Sequence, residues 1–277
     1  MIAAIDLGIT NIDVVVRREA GLEYFRMSNS RQPILEQVWA VFKMIGNSGA
    51  GSIEQAAVTG GQYRSLPERV GDTRLVKVRE VESIGRGGLY LAQLEQALVV
   101  SAGSGTAMVA ARGRSIAHVT GSAVGGGTLQ GLGRLLLGTA DPLEIDRLAQ
   151  QGDANHADLT LIEAVGAGVG RLPVNANAVN FGRLSFSSVE LSPADRAAAL
   201  VRLVGQVIAV VAINAAWAEG LEKIVVTGHL VDLPSVCQVM DEVAGFYKAN
   251  IIVPSQPGTG TVLGALLCME ENQIADV

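Results

Sequence analysis

Cysteine is nearly absent: Cys237 and Cys268 are the only two in 277 residues, and neither sits in a CxxC pair. Two such thiols cannot build a disulfide framework; they read as small core hydrophobes of a reducing compartment. The three histidines, His118, His156 and His229, stand too far apart for a zinc site to be read from spacing. Aromatics make up 4% of the chain, too few for a platform that stacks single-stranded bases. Positive charge is in deficit, with 21 Lys and Arg against 27 Asp and Glu, a net −6. That balance lacks the basic stripe needed to meet nucleic-acid phosphates. The longest apolar run, Val207 to Ala218, is broken by Asn214 and falls short of the roughly 20 residues that span a bilayer. No basic stretch precedes the opening MIAAIDLG, so no secretory signal is expected. Neither nucleic acid nor membrane is an expected partner, and the expected location is the cytoplasm. Two nucleotide motifs are missing too. Without GxxxxGK[ST] the chain is no P-loop NTPase, and without GxGxxG in the first turn a Rossmann site is disfavoured.

What is present is an apolar fraction of 49%, a charged fraction of only 17%, and 33 glycines. Such a chain buries a large core, as one large or two medium domains. Ile2–Ile5 and Ile12–Val16 are β-branched runs around a polar turn, a hairpin signal, and Glu23–Met27 is a third strand. Helical spacing marks Pro33–Ile45, followed by a Gly/Ser/Asn cluster. Strands are expected at Gln55–Val58 and Leu75–Val78, then a helix from Val81 to Gln96. A similar opening starts at Leu98: strands Leu98–Val100 and Ala107–Ala111 flank another glycine turn. A strand at Ile116–Val119, a glycine-rich stretch and a helix over Thr128–Leu137 follow. Further helices are expected at Asp141–Gln151, Ser192–Gly220, Val236–Tyr247 and Gly260–Glu270, with strands at Lys223–Thr227 and Ile251–Val253. The repeated opening implies two α/β halves with a cleft between them, divided near residue 98 into 1–97 and 98–277.

Three turns are candidates for holding phosphate. The first carries Asp6-x-Gly8-x-Thr10-Asn11, the second Gly103-Ser104-Gly105-Thr106, and the third runs from Thr120 to Thr128 into a helix N-terminus. Glycine lets backbone amides approach an anion, hydroxyls add donors, and a helix start favours negative charge. An aspartate at the end of a strand suits Mg²⁺, which takes few carboxylates and keeps its waters. An ordinary hairpin turn with an Asx bond is the alternative reading of the first.

In this order the turns resemble those of the actin-like superfamily of sugar kinases and chaperone ATPases. Within it they are similar to the type II pantothenate kinases. The resemblance rests on Ala4-Ile5-Asp6-Leu7-Gly8-Ile9-Thr10, Val58-Thr59-Gly60-Gly61, Glu80-Val81-Glu82, Gly103-Ser104-Gly105-Thr106 and the block from Val119 to Gly133. Gly152-Asp153-Ala154-Asn155, Val179-Asn180-Phe181-Gly182 and Gly264-Ala265-Leu266 extend it along nearly the whole chain. It implies a two-lobed actin-like (ribonuclease H-like) ATPase fold with mixed sheets and a nucleotide cleft between the lobes. It further implies a homodimer that moves the γ-phosphoryl of ATP, with Mg²⁺, to a primary hydroxyl of a small alcohol, pantothenate in the first instance.

Carried over residue by residue, the resemblance makes Glu80 the catalytic carboxylate, with Glu82 its nearest competitor. Asp6, Gly8, Thr10, Asn11, Gly103, Ser104, Gly105 and Thr106 would surround the phosphates, Asp6 also holding the metal. Gly126, Gly127, Thr128, Leu129 and Gln130 would run along the nucleotide phosphates, with Gly228 and His229 on the adenosine side. His229 stands where the family usually has a small polar residue, and an exposed loop position is the preferred reading of it over a nucleobase or ribose contact. His118, Thr120 and Gly121 would face the acceptor. The chain also departs from the family pattern. Asp13 replaces a lysine, and acid near triphosphate is repulsive unless it points away or binds metal. His118 replaces the arginine that pairs with the pantothenate carboxylate, which removes a bidentate guanidinium. Ser101 replaces Asn and Arg86 replaces Gln. Arg79, Arg86 or Arg134 is then the alternative source of positive charge. A nucleotide-binding regulator or reactivating subunit of the same superfamily is the rival function.

Overall fold

The computed structural model describes residues 1–47, 52–188 and 190–275, with side chains through 271; part of the Gly/Ser/Asn cluster after the first helix lies outside them. β1 (Ile2–Leu7), β2 (Asn11–Arg18) and β3 (Gly21–Ser28) form an antiparallel meander. After α1 (Ile34–Asn47), β4 (Gln55–Gly60) pairs with β1 in parallel. β5 (Arg69–Val70) and β6 (Thr73–Lys77) complete a six-stranded sheet of order β3-β2-β1-β4-β6-β5. α2 (Glu80–Ala92) leads to β7 (Gln96–Ala102), β8 (Thr106–Arg112) and β9 (Ser115–Ser122), a second antiparallel meander.

The chain then runs through α3 (Gly126–Leu137), α4 (Pro142–Ala149), a small ribbon of β10 (Leu159–Thr160) and β11 (Asn177–Val179) around α5 (Leu161–Val165), and the long α6 (Pro193–Ala218). β12 (Lys223–Thr227), α7 (Pro234–Tyr247), β13 (Asn250–Ile252) and α8 (Gly260–Ala275) close it. The second sheet has the order β13-β12-β7-β8-β9, with β12 parallel to both neighbours. Five strands of the first sheet, β6-β4-β1-β2-β3, follow the same path. The repeated opening therefore reflects a repeated topology.

Each sheet has a helix layer on both faces, and two of those helices are exchanged. α1 covers one face of the first sheet through Val38, Val41 and Ile45 packed on Ile5, Ile12 and Val14. The other face is covered by α8, from the far end of the chain, through Val262, Ala265, Leu266 and Met269. Conversely α2, which follows the first sheet, packs Ile84 and Leu89 onto Val99, Val109 and Val225 of the second. α2 and α8 cross between the sheets with their backbones touching. A β-carbon at Gly87 would collide with the carbonyl of Gly260, and one at Gly264 with that of Ser83. The glycines that weaken α2 as a helix are what let the two sheets share this joint. α2 also ends earlier than its pattern suggests, because Gln93 turns left-handed at φ 54.

By length and composition α6 could cross a membrane, with mean hydropathy 1.9, but 56% of that window is buried. Leu200, Val204, Ile208, Ala212 and Ile213 belong to the core of the second half. Its apolarity is thus accounted for by the core.

Candidate active site

The first turn is fastened from outside: Asn29 Nδ2 donates to Gly8 O at 2.7 Å and Asn29 N to Thr10 O at 2.8 Å. This leaves the Thr10 hydroxyl exposed, and it meets Ser104 Oγ of the second turn at 2.7 Å. One hydrogen bond therefore joins turns 94 residues apart, from the two sheets, as the cleft expectation requires. The third turn is stitched to the second by backbone. Gly126 N donates to Gly103 O at 2.8 Å and Gly127 N to Ser104 O at 2.9 Å. Gly125 N is bound by Thr128 Oγ1 at 3.2 Å, and Leu129 N by Gly125 O at 3.0 Å.

That stitching corrects the expected chemistry of this helix start. The amides of Gly126 and Gly127 are already occupied by carbonyls, so they are not free donors for an anion. Leu129 is fully buried in the core beside Met108 and Ile145, so its side chain does not line the cleft. Thr106 is likewise buried, with its hydroxyl given to Val124 O at 2.8 Å. Gln130, Thr128, Ser104, Gly103, Gly105 and Asn11 remain partly exposed.

Asp6, next to last in β1, lies opposite Asp13 of β2 and alongside Thr59 of β4. Gly60 passes so close that a β-carbon there would strike Asp6 Oδ1, and its φ of +86 also demands glycine. Burial, then the charges of Asp13 and Glu80, push the Asp6 carboxyl up to about 7, against an opposing pull from His229. Among the described residues no hydrogen-bond partner holds the Asp6 carboxylate. A partly buried acid facing two others is a place where a cation relieves repulsion. Among the described residues no three His, Cys, Asp or Glu side chains converge into a ready-made metal cage. One carboxylate with room for waters and phosphate oxygens fits Mg²⁺ in the way it is usually bound.

Glu80 is the first residue of α2, held against the first sheet where Ser83 Oγ bonds Arg79 O at 3.1 Å and lies 3.4 Å from Thr59 Oγ1. It borders a cavity of about 390 Å³ with Gly60, Gln62, Tyr63, Arg64, Arg79 and Val81. Glu80 is open to solvent on one side and hemmed in by protein on the other. That partial desolvation raises its carboxyl above the usual range. Its competitor Glu82 accepts from Arg79 Nη1 at 3.1 Å, which leaves Glu80 as the carboxylate on the cavity without a partner among the described residues.

His229 is not an exposed loop residue. Nε2 donates to Asp13 at 2.9 and 3.0 Å, and Nδ1 to Asp232 at 2.8 Å. Arg26 lies 2.9 Å from the same Nδ1 and 3.8 Å from Asp232 Oδ2. Burial alone would lower the imidazole pKa, but the two carboxylates together raise it to about 9. The acid at Asp13 is thereby neutralised across the gap between the sheets. Gly228 precedes it, its amide given to Pro257 O at 2.8 Å.

His118 is exposed on the edge strand β9 and is not part of the Glu80 cavity, nor are its neighbours Thr120 and Gly121. Of the proposed substitute cations, Arg86 is committed to Glu271 and to Gly113 O, and Arg134 stands exposed on α3. Only Arg79 lines the cavity. Sequence reasoning missed Tyr63 and Arg64, which follow Gly60-Gly61 with no motif of their own. It also missed the pairing of Asp13 with His229, whose signal was two complementary departures from one pattern.

Comparison with known proteins places this geometry. The family model named Fumble matches residues 50–252. The chain is 28% identical over 233 residues to a type II pantothenate kinase of Staphylococcus haemolyticus, covering 82% of this chain and 84% of that one. It is 31% identical over 181 residues to a type II pantothenate kinase of Staphylococcus aureus, covering 64% and 68%. Among solved structures it is similar to the activator of the 2-hydroxyisocaproyl-CoA dehydratase from Clostridium difficile with bound ADPNP. That match has a TM-score of 0.66 and 15% identity, covering 99% and 96%. A ROK family glucokinase from Streptomyces griseus, in complex with glucose and AMPPNP, gives 0.58 and 14%, covering 95% and 97%. The fold is that of the actin-like and sugar-kinase ATPases.

Proposed function

Because the chain belongs to the Fumble family, matched here by type II pantothenate kinases, we propose that it transfers the γ-phosphoryl of ATP to a primary hydroxyl of a small alcohol, with pantothenate the first candidate. Phosphoryl transfer asks the protein to position two substrates, neutralise charge and accept a proton. Glu80 is the proton acceptor: unpartnered, raised in pKa and set on a cavity of suitable size for a small alcohol. Thr10 and Ser104 hydroxyls flank the phosphates from the two turns. Asp6 would hold Mg²⁺ through its carboxylate, and the ion would supply positive charge against the phosphates.

The observation that carries this reading is that Gly60, whose backbone lies against Asp6 Oδ1, lines the same cavity as Glu80, which sets an acid for metal beside an acid for the acceptor. The relatives' activity favours a kinase over the regulator alternative. The two cysteines, both raised in pKa by burial, offer no exposed thiolate pair for a shared cluster. A homodimer in solution and a role in coenzyme A synthesis belong to the same proposal. An ADP-release assay with pantothenate, pantetheine and pantothenol as acceptors tests it. Acceptor-dependent ADP formation is expected with at least one of them, and binding of ATP without transfer to any would support the regulator instead.

A further inference from the structure

The Glu80 cavity holds more positive charge than a proton transfer needs. Arg64 is exposed and, among the described residues, pairs with no carboxylate. Its guanidinium lies over the Tyr63 ring, 5.7 Å from the centroid, with Nε 3.4 Å from the phenol oxygen. Lys77 Nζ donates to Arg64 O at 2.9 Å, fixing the backbone and bringing a further cation to this side. Arg79 lines the same cavity, with its side chain two-thirds exposed and Nη1 given to Glu82. A stacked guanidinium is a planar fork held in a fixed plane, the geometry that grips a carboxylate by two parallel bonds. His118, where the resemblance places such an arginine, faces solvent on β9 instead.

We propose that Arg64, assisted by Arg79, binds the carboxylate of the acceptor held beside Glu80. This rests on the kinase reading and deepens it. Specificity for the acid then comes from a loop after β4 rather than from β9. The positive end of the cavity belongs to the first half of the chain, as Glu80 does, so both ends of the acceptor are held on one side of the cleft.

The test compares kcat/KM for pantothenate with that for pantothenol, the same molecule with an alcohol in place of the carboxylate. Wild type is compared with Arg64→Ala, Arg64→Lys, Arg79→Ala and, as a control outside the cavity, Arg134→Ala. Wild type is expected to prefer the acid. Arg64→Ala lowers that preference by about tenfold or more, the worth of one charge-assisted pair, Arg79→Ala lowers it less, and Arg64→Lys restores part of it. Arg134→Ala keeps the wild-type ratio. An unchanged ratio in both Arg64→Ala and Arg79→Ala overturns the proposal while leaving the kinase in place. Calorimetric binding of pantothenate, with a non-hydrolysable ATP analogue present, separates the two readings. If wild type transfers to neither acceptor, the kinase reading fails. Weaker pantothenate binding by Arg64→Ala would then still sustain the anion site, and absence of pantothenate binding by wild type would end it.

Discussion

Replacing Asp13 by Asn probes the clasp that joins the two sheets through His229. The imidazole pKa rises from 6.5 to about 9 because, against burial, two carboxylates stabilise its charged form. At about 1.4 kcal/mol per unit this corresponds to about 3 kcal/mol of stability. Asp232 is 40% exposed, so solvent screening reduces the usable figure to about 2 kcal/mol. The sign follows from linkage. A raised histidine stabilises the folded state fully below pH 6.5, and that contribution is lost as pH rises through 9. Urea unfolding of wild type and Asp13→Asn at constant ionic strength, from pH 6 to 9.5, reads the effect as the gap between the two. The gap is expected to be about 1 to 2 kcal/mol at pH 6 and to shrink towards zero by pH 9.5. Loss of the Asp13 charge also eases ionisation of Asp6, whose carboxyl Asp13 helps raise, which narrows the gap further above pH 7. A gap that stays constant, or widens with pH, refutes the clasp.

Two further perturbations address the frame. Gly264→Ala would ordinarily help a helix by up to about 1 kcal/mol. Here the added methyl meets Ser83 O, and chemical denaturation should show a net loss of about 1 to 3 kcal/mol; a gain would mean the helices do not cross so closely. Leu129→Ala, by emptying a fully buried site, should cost about 2 to 5 kcal/mol in the same assay, and a loss below 1 would return Leu129 to the cleft surface.

Much of the frame was legible because its signals are local. β-Branched runs around polar turns mark β1, β2, β7 and β8, and apolar residues at helical spacing mark α1, α6 and α7. The exchange of α2 and α8 was not legible, since Gly85, Gly87 and Gly88 read as weak helix and only close packing explains them: Gly87 against Gly260 and Gly264 of α8, Gly85 against Ile116 and Gly88 against Val99 of the second sheet. The ribbon of β10 and β11 escaped because strands of two and three residues carry no period. In the site, the turns around Gly8 and Ser104 were visible as glycine beside hydroxyl. What a glycine cluster cannot reveal is whether its amides are free, and at Gly126 and Gly127 the neighbouring turn takes them. Nor does sequence show that Asp13 and His229, 216 positions apart, face each other. Read singly each is a defect, and together they form one ion pair.

The most direct test of the central claim measures acceptor-dependent ADP formation by Glu80→Gln beside Glu82→Gln. An amide cannot accept the hydroxyl proton, so Glu80→Gln should lower kcat by about a hundredfold or more with little change in the KM for ATP, while Glu82→Gln stays within a few-fold of wild type. Near-normal turnover by Glu80→Gln, or a collapse confined to Glu82→Gln, would contradict the account.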